Sequence, residues 1–242
     1  MEYIGELTQA KPIVLGGIEY STLPAYLPPA EPLADPIVLS TLEGFVGFLD
    51  ADIDDALVDE RGEGDPSRHL VWVESPTSVS LLGPLKRRER KRECLVRAKA
   101  TPPRQLDRFG QWWSLEEAQI YLRTACSDSG QRAELLELLA RVSTQDEVRV
   151  ADDGISQEMA VKAGTVRLAR ETVSPTWQLA PYRTFPEVTQ PVSQYLLRAK
   201  KGEGGFVISL HLVCDGLWEL EAISNVAGFL AGRVTEGLAV LR

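Results

Sequence analysis

Histidine and cysteine are scarce in this chain, with two of the first and three of the second among 242 residues. His69 and His211 stand in no HExxH or other ligand spacing, so there is little raw material for metal hydrolysis or histidine general-base catalysis. His211 and Cys214 lie three apart, an offset that on a strand turns them to opposite faces and argues against a cysteine and histidine pair. Cys94, Cys126 and Cys214 are odd in number and widely spaced. That excludes a small disulfide framework and leaves no CxxC pair for zinc or redox work, so reduced, buried thiols are expected. Long apolar runs are missing as well. The stretch from Ile13 to Ile18 is too short for a membrane span, and Met1-Glu2-Tyr3 has no basic n-region, so the expectation is a cytoplasmic chain with no membrane partner. No glycine pattern forms a phosphate cradle: Gly16-Gly17 lacks the following Lys and Ser or Thr, and Gly202 to Gly205 lies between strand-like runs. No catalytic motif is present, and no cofactor or metal is expected.

What is present is ordinary in amount and uneven in distribution. With 44% apolar and 25% charged residues, the chain has the composition of a globular protein, long enough for one large domain or two lobes. The net charge of -9 argues against an all-over basic nucleic-acid binder, yet it hides segregation. Between Lys86 and Arg108 ten basic residues face three acids, whereas between Glu31 and Asp65 eleven acids face only Arg61. A basic and an acidic pole suit an anionic ligand or head-to-tail self-association, so a homo-oligomer is expected.

The periodicities predict an α+β fold of antiparallel sheet and a few amphipathic helices. Residues 1–39 hold Pro12, Pro24, Pro28, Pro29, Pro32 and Pro36, and read as an extended arm. Ser40 with Glu43 reads as a capping box, opening a helix to about Leu49 that is followed by an aspartate-rich loop. Leu70 to Glu74 and Ser78 to Leu82 read as a hairpin about Ser75-Pro76-Thr77, with a third strand from Cys94 to Lys99. Ser114 with Glu117 is a second capping box, for a helix to about Cys126, and Leu135, Leu136, Leu138, Leu139 and Val142 mark another helix. Beyond Asp146 short alternating runs suggest an antiparallel meander, Asp215-Gly216 a last hairpin turn, and Ala222 to Leu238 a closing helix. The division expected is an arm, a helix and hairpin lobe over 40–145 and a sheet lobe over 146–242, the two lobes sharing a core.

Several strings together resemble the YfdQ-like phage and prophage proteins, a family of unknown function. They are Val73-Glu74-Ser75-Pro76-Thr77 running into Leu81-Leu82, Phe109-Gly110-Gln111-Trp112, Asp152-Asp153-Gly154 with Ser156-Gln157, the run from Pro181 to Arg198, and Asp215-Gly216-Leu217-Trp218. The resemblance implies a phage or prophage origin and a gene setting of recombination and nucleotide metabolism. It assigns no reaction.

Asp50, Asp52 and Asp54 imitate the start of a calcium loop, but the sixth and twelfth positions offer Asp55 and Arg61 where glycine and glutamate are needed. Asp152-Asp153-Gly154 has the composition of a tight turn. With Asp152 and Asp153, the residues Arg183, Glu187, Gln190, Ser193 and Arg198 make the polar cluster of the family-like strings; those of the run from Pro181 to Arg198 could line a site, and their plain reading is a proline-broken edge segment whose polar side chains satisfy exposed backbone. The basic segment contributes Lys86, Arg87, Arg88, Arg90, Lys91, Arg92, Arg97 and Lys99, followed by Trp112 and Trp113. Guanidinium groups for phosphates and rings for bases are the chemistry of single-stranded nucleic-acid binding. The functional expectation is a self-associating, non-enzymatic single-strand binder of phage DNA metabolism. The alternative is an interaction module directed at a host protein.

Overall fold

In a computed structural model the described residues are 13–15, 18–20, 35–56, 66–86, 91–101, 108–143, 147–152, 157–163, 166–167, 171–202, 205–213 and 216–242. In chain order they form β1 (Ile13–Leu15), β2 (Ile18–Tyr20), β3 (Ile37–Leu39), α1 (Leu42–Ala56), β4 (Leu70–Ser75), β5 (Ser78–Lys86) and β6 (Lys91–Lys99). Next come β7 (Trp113–Ser114), α2 (Leu115–Ala125), β8 (Cys126–Gly130), α3 (Arg132–Ser143), β9 (Glu147–Asp152), β10 (Gln157–Ala163), β11 (Val166–Arg167) and β12 (Glu171–Val173). The chain closes with β13 (Thr176–Pro181), β14 (Ser193–Gly202), β15 (Gly205–Leu212), α4 (Leu217–Ala231) and β16 (Ala239–Leu241).

The fold is α+β, and two five-stranded sheets organise it. The first runs β16-β4-β5-β6-β3, antiparallel inside, with short parallel strands at both edges. The second runs β7-β15-β14-β13-β8 and is antiparallel throughout. Two small units stand apart, the β1–β2 hairpin and a sheet in which β10 pairs with β9, β11 and β12.

Each large sheet buries one face, as period-two alternation requires. In the first, Val71, Val73, Val79, Leu81, Val96 and Ala98 point inward against Phe45, Val46 and Leu49 of α1 and Val226, Ala227 and Leu230 of α4. In the second, Trp177, Leu179, Tyr195, Leu197, Ile208 and Leu210 meet Tyr121 and Leu122 of α2 and Leu135, Leu139 and Val142 of α3.

Sequence-local signals are seen where short-range chemistry decides. At α2, Ser114 Oγ accepts from the Glu117 amide at 3.2 Å while the Glu117 carboxylate accepts from the Ser114 amide at 3.0 Å, completing the capping box. At α1 the expected box at Ser40 does not form. Thr41 is the cap, its Oγ1 accepting from Gly44 N at 3.0 Å, and Glu43 is drawn instead to Arg233 at 2.6 Å. The helix also continues through Asp50 to Ala56, where a loop was expected. Asp128-Ser129-Gly130 belongs to the edge strand β8 through its pairing with β13, and Gly130, at φ 73°, comes so close to the Gln178 carbonyl there that a Cβ would lie 2.5 Å from its oxygen.

The closing region departs furthest from expectation. Gly216 does not turn a hairpin; at φ 88° it precedes α4, which begins at Leu217 where a strand was expected. Ala222, Val226, Ala227 and Leu230 recur at helical spacing and cover the first sheet, so burial of that stripe decides for helix. The helix ends at Ala231, and the last residues return as β16, parallel to β4. The chain therefore does not divide at residue 145: α2 and α3 pack with the later sheet, and α4 and β16 with the earlier one.

The loop between β13 and β14 joins the two halves. Phe185 and Val188 leave the second sheet and bury themselves in the core of the first. Glu187 Oε1 accepts from Leu42 N at 2.8 Å, capping α1 from outside, while Asn225 donates to the Thr189 carbonyl at 2.9 Å and Thr184 Oγ1 to the Pro76 carbonyl. Gln190 holds the loop in shape with four bonds: Oε1 accepts from the amides of Arg183 and Thr184 at 3.0 and 3.3 Å, and Nε2 donates to the carbonyls of Phe185 and Val188 at 2.9 and 3.1 Å. Since Gln190 is buried, replacing it leaves several buried backbone groups without partners. Gln190→Leu is expected to lower stability by at least about 2 kcal/mol in urea denaturation, whereas the same change at exposed Gln194 stays within about 0.5 kcal/mol of the parent.

Candidate nucleic-acid interface

The outward face of the second sheet is assembled by alternation on β14 and β15. Tyr195, Leu197 and Ala199 point into the core, so Leu196, Arg198 and Lys200 lie on the opposite face; Ile208 and Leu210 point in, so Val207, Ser209 and His211 share that opposite face, where Ser209 is nevertheless buried by its neighbours. The ladder sets Arg198 opposite Ser209, Leu196 opposite His211 and Lys200 opposite Val207.

The edge of this face comes from residues 109–114. Gly110, at φ 86°, donates its amide to the Leu210 carbonyl at 2.8 Å, and Trp113 and Ser114 pair with Ile208 and Val207. Phe109 stacks on Tyr195 at 4.5 Å between ring centroids, and Trp113 lies 4.6 Å from Tyr121. With its neighbours clamped into the core, Trp112 faces away from it. Its ring is 43% exposed, and Lys200 Nζ sits 4.0 Å from the ring centroid. Such a contact is favoured by the ring quadrupole. The two consecutive tryptophans thus divide: Trp112 is available to a ligand, and Trp113, only 1% exposed, is core and not a binding residue.

Among the described residues the basic segment is divided between exposed and engaged side chains. Lys86 ends β5 and Lys91 begins β6 beside it, while Arg87, Arg88 and Arg90 lie outside the described residues. Arg92 donates from one nitrogen to the carbonyls of Arg68 and Gly83 at 2.8 and 2.7 Å, and Arg97 is paired with Glu74 at 3.3 Å. Lys91 and Lys99 remain exposed. Two of the expected phosphate contacts are therefore engaged by groups of the protein, Arg92 by backbone carbonyls and the partly exposed Arg97 by a carboxylate.

The polar cluster is likewise only partly assembled. Arg183 donates to Ser193 Oγ at 2.7 Å and to the Pro191 carbonyl at 3.1 Å, beside Gln190, and Glu187 reaches α1. The guanidinium of Arg183 also stacks 4.3 Å from the centroid of Trp218, a partner the sequence did not point to. The expectation that these side chains satisfy backbone is met by Gln190, Glu187 and Arg183, but in a buried loop and not at an exposed edge. Arg198 stands apart on the outward face of β14, and Asp152 on β9 opposite Gln157; Asp153 lies outside the described residues. Lys200 was not singled out in the sequence. The available signal was the alternation of Leu196, Arg198 and Lys200 against Tyr195, Leu197 and Ala199.

Ser209 Oγ and His211 Nε2 lie 3.1 Å apart, but Ser209 is wholly buried, so its hydroxyl serves the sheet and does not face a substrate. Among the described residues no three His, Cys, Asp or Glu side chains converge to hold a metal ion, and no helix is long and apolar enough to cross a membrane. No family model, curated protein or solved structure matches the chain.

Burial pushes the Cys126 thiol up to about 12, against the opposing pull of Arg132 and Arg183, and burial likewise raises the Tyr195 hydroxyl to about 12. Both groups are held neutral in the folded state, so they contribute stability that is complete below their ordinary values of 9.0 and 10.0 and is lost as pH rises toward about 12. Stability is expected to fall across that alkaline range in denaturation midpoints. At pH 8 Cys126 should resist iodoacetamide in the native protein and react once urea unfolds it, as read by peptide mass.

Proposed function

We propose that this chain is a non-enzymatic, self-associating protein of phage or prophage origin, acting in the host cytoplasm as a single-stranded nucleic-acid-binding accessory of DNA metabolism or recombination. The observation that carries the reading is the exposed indole of Trp112 with Lys200 over it, at the edge of the second sheet. A flat aromatic ring takes a base by stacking, and neighbouring cations take the phosphates of the same strand. The resemblance to YfdQ-like proteins supports the origin and the setting. This surface, and not the Lys86 to Arg108 run as a whole, is the main contact in this reading.

In fluorescence anisotropy at low salt, a labelled single strand is expected to bind more tightly than a duplex. Trp112→Ala should weaken single-strand binding roughly 5- to 150-fold, the usual worth of one stacked base, and Lys200→Glu should flatten the salt dependence by about 0.7 in log–log slope. Unchanged affinity in both variants overturns this assignment of the surface.

A second reading, an interaction module directed at a host protein, is favoured by a different observation. Leu217 and Leu220, one turn apart on α4, are 66% and 68% exposed, and Val213 just before them is exposed too. Apolar side chains grouped at a surface are the usual sign of protein contact. In the self-associating reading they bury each other between copies. Light scattering of the purified protein decides: a dimer or larger mass that falls to the monomer in Leu217→Glu with Leu220→Glu supports self-association, and a parent protein that is already monomeric assigns the patch to another protein.

A further inference from the structure

The outward face of the first sheet carries a second exposed indole. Cross-strand register sets Leu241, Trp72, Ser80, Arg97 and Val38 in one row, and Trp72 is 43% exposed. Two positions along β4, on the same face, the Glu74 carboxylate gathers three donors. Ser80 Oγ at 2.5 Å and Arg97 Nη2 at 3.3 Å meet Oε1, and Ser78 Oγ at 3.0 Å meets Oε2; Arg97 Nε also donates to Ser80 Oγ at 3.1 Å. Ser80 is fully buried, while Glu74 and Arg97 are both partly exposed.

This arrangement differs in kind from the Trp112 surface. There the groups beside the ring are cations; here a carboxylate and a guanidinium cancel each other's charge and are held in fixed orientation by serines. A phosphate gains little from a neutral pair. What the pair offers is directional: an acceptor-only group and a donor-only group side by side. Alternate residues on a strand lie about 7 Å apart, so a base stacked on Trp72 projects its edge toward Glu74, and Arg97, two strands away, reaches the same place because its guanidinium is held at 3.3 Å from the Glu74 carboxylate.

Among the bases, guanine answers both groups. Its adjacent N1–H and 2-amino donors converge on Oε2, the carboxylate oxygen that accepts only from Ser78, and its O6 and N7 form two acceptors for the guanidinium hydrogens that Glu74 and Ser80 do not use. Adenine and cytosine present a single amino donor group, and thymine a single ring N–H. We propose that Trp72, Glu74 and Arg97 form a guanine-reading subsite, resting on the reading that the chain binds single strands.

The test uses the full chain and labelled oligothymidine strands carrying one central guanine, adenine, cytosine or inosine, compared by anisotropy with the unsubstituted strand. The guanine strand is expected to bind at least about fivefold more tightly, the lower end of discrimination by a bidentate contact. Inosine, which lacks the 2-amino donor, should lose most of that gain. Trp72→Ala and the isosteric Glu74→Gln should each bring the guanine strand to the level of oligothymidine. Equal affinity for every strand, or a guanine preference that survives Trp72→Ala, overturns the subsite and leaves single-strand binding standing. Absence of binding to any strand overturns the single-strand reading, and the subsite with it.

Discussion

The rest of the structure depends on a side-chain amide. Gln190 uses both lone-pair directions of its oxygen and both hydrogens of its nitrogen on backbone groups of the segment from Arg183 to Val188. A loop that enters a core must have its amides and carbonyls paired, and this one is paired mainly from within. It can therefore carry Phe185 and Val188 out of the second sheet and into the core of the first. The same excursion delivers Glu187 to the first turn of α1, where an unpaired amide and the positive end of a helix favour a carboxylate. The two sheets are thus coupled by apolar burial and a helix cap supplied by a single loop.

Helices are spent economically around this joint. Two cover one face of the first sheet and two cover one face of the second, and no described helix lies over the opposite faces. Those outward faces are where half-exposed tryptophans occur, Trp72 on one sheet and Trp112 on the other. Their surroundings differ because their neighbours in register differ. Lys200 stands by Trp112, while beside Trp72 the glutamate and arginine are bound to each other. In the proposed reading the first meets a charged backbone, and the second meets a base edge with donors and acceptors.

Charge read along the chain misleads for a physical reason. Ten basic residues in a short stretch look like a patch, but a strand sends alternate side chains to opposite faces, and arginine readily caps carbonyls left over at bulges and strand ends. Arg92 does this at Gly83 and Arg68, and Arg97 is bound by Glu74. The cation that meets an exposed ring is Lys200, far away in sequence and adjacent in space.

What could be read from the chain alone was what short-range chemistry controls. The Ser114 and Glu117 capping box, the hairpin about Pro76 and the apolar stripe from Leu135 to Val142 are decided within a few residues, and so was the α+β class. The α1 cap was misplaced by one residue because serine is by itself a somewhat better cap than threonine, and the contact that holds the amide of Leu42 comes from Glu187, 145 residues away. The α4 helix read as a strand at Leu217 because its first turn has no side-chain cap and exposes Leu217 and Leu220, while the burial that fixes the helix comes later, at Val226, Ala227 and Leu230. For the candidate interface, the sequence supplied the residue types, aromatic next to basic. Tertiary structure decided which of them face solvent, since pairing across strands and burial under helices are settled by contacts between residues far apart in the chain.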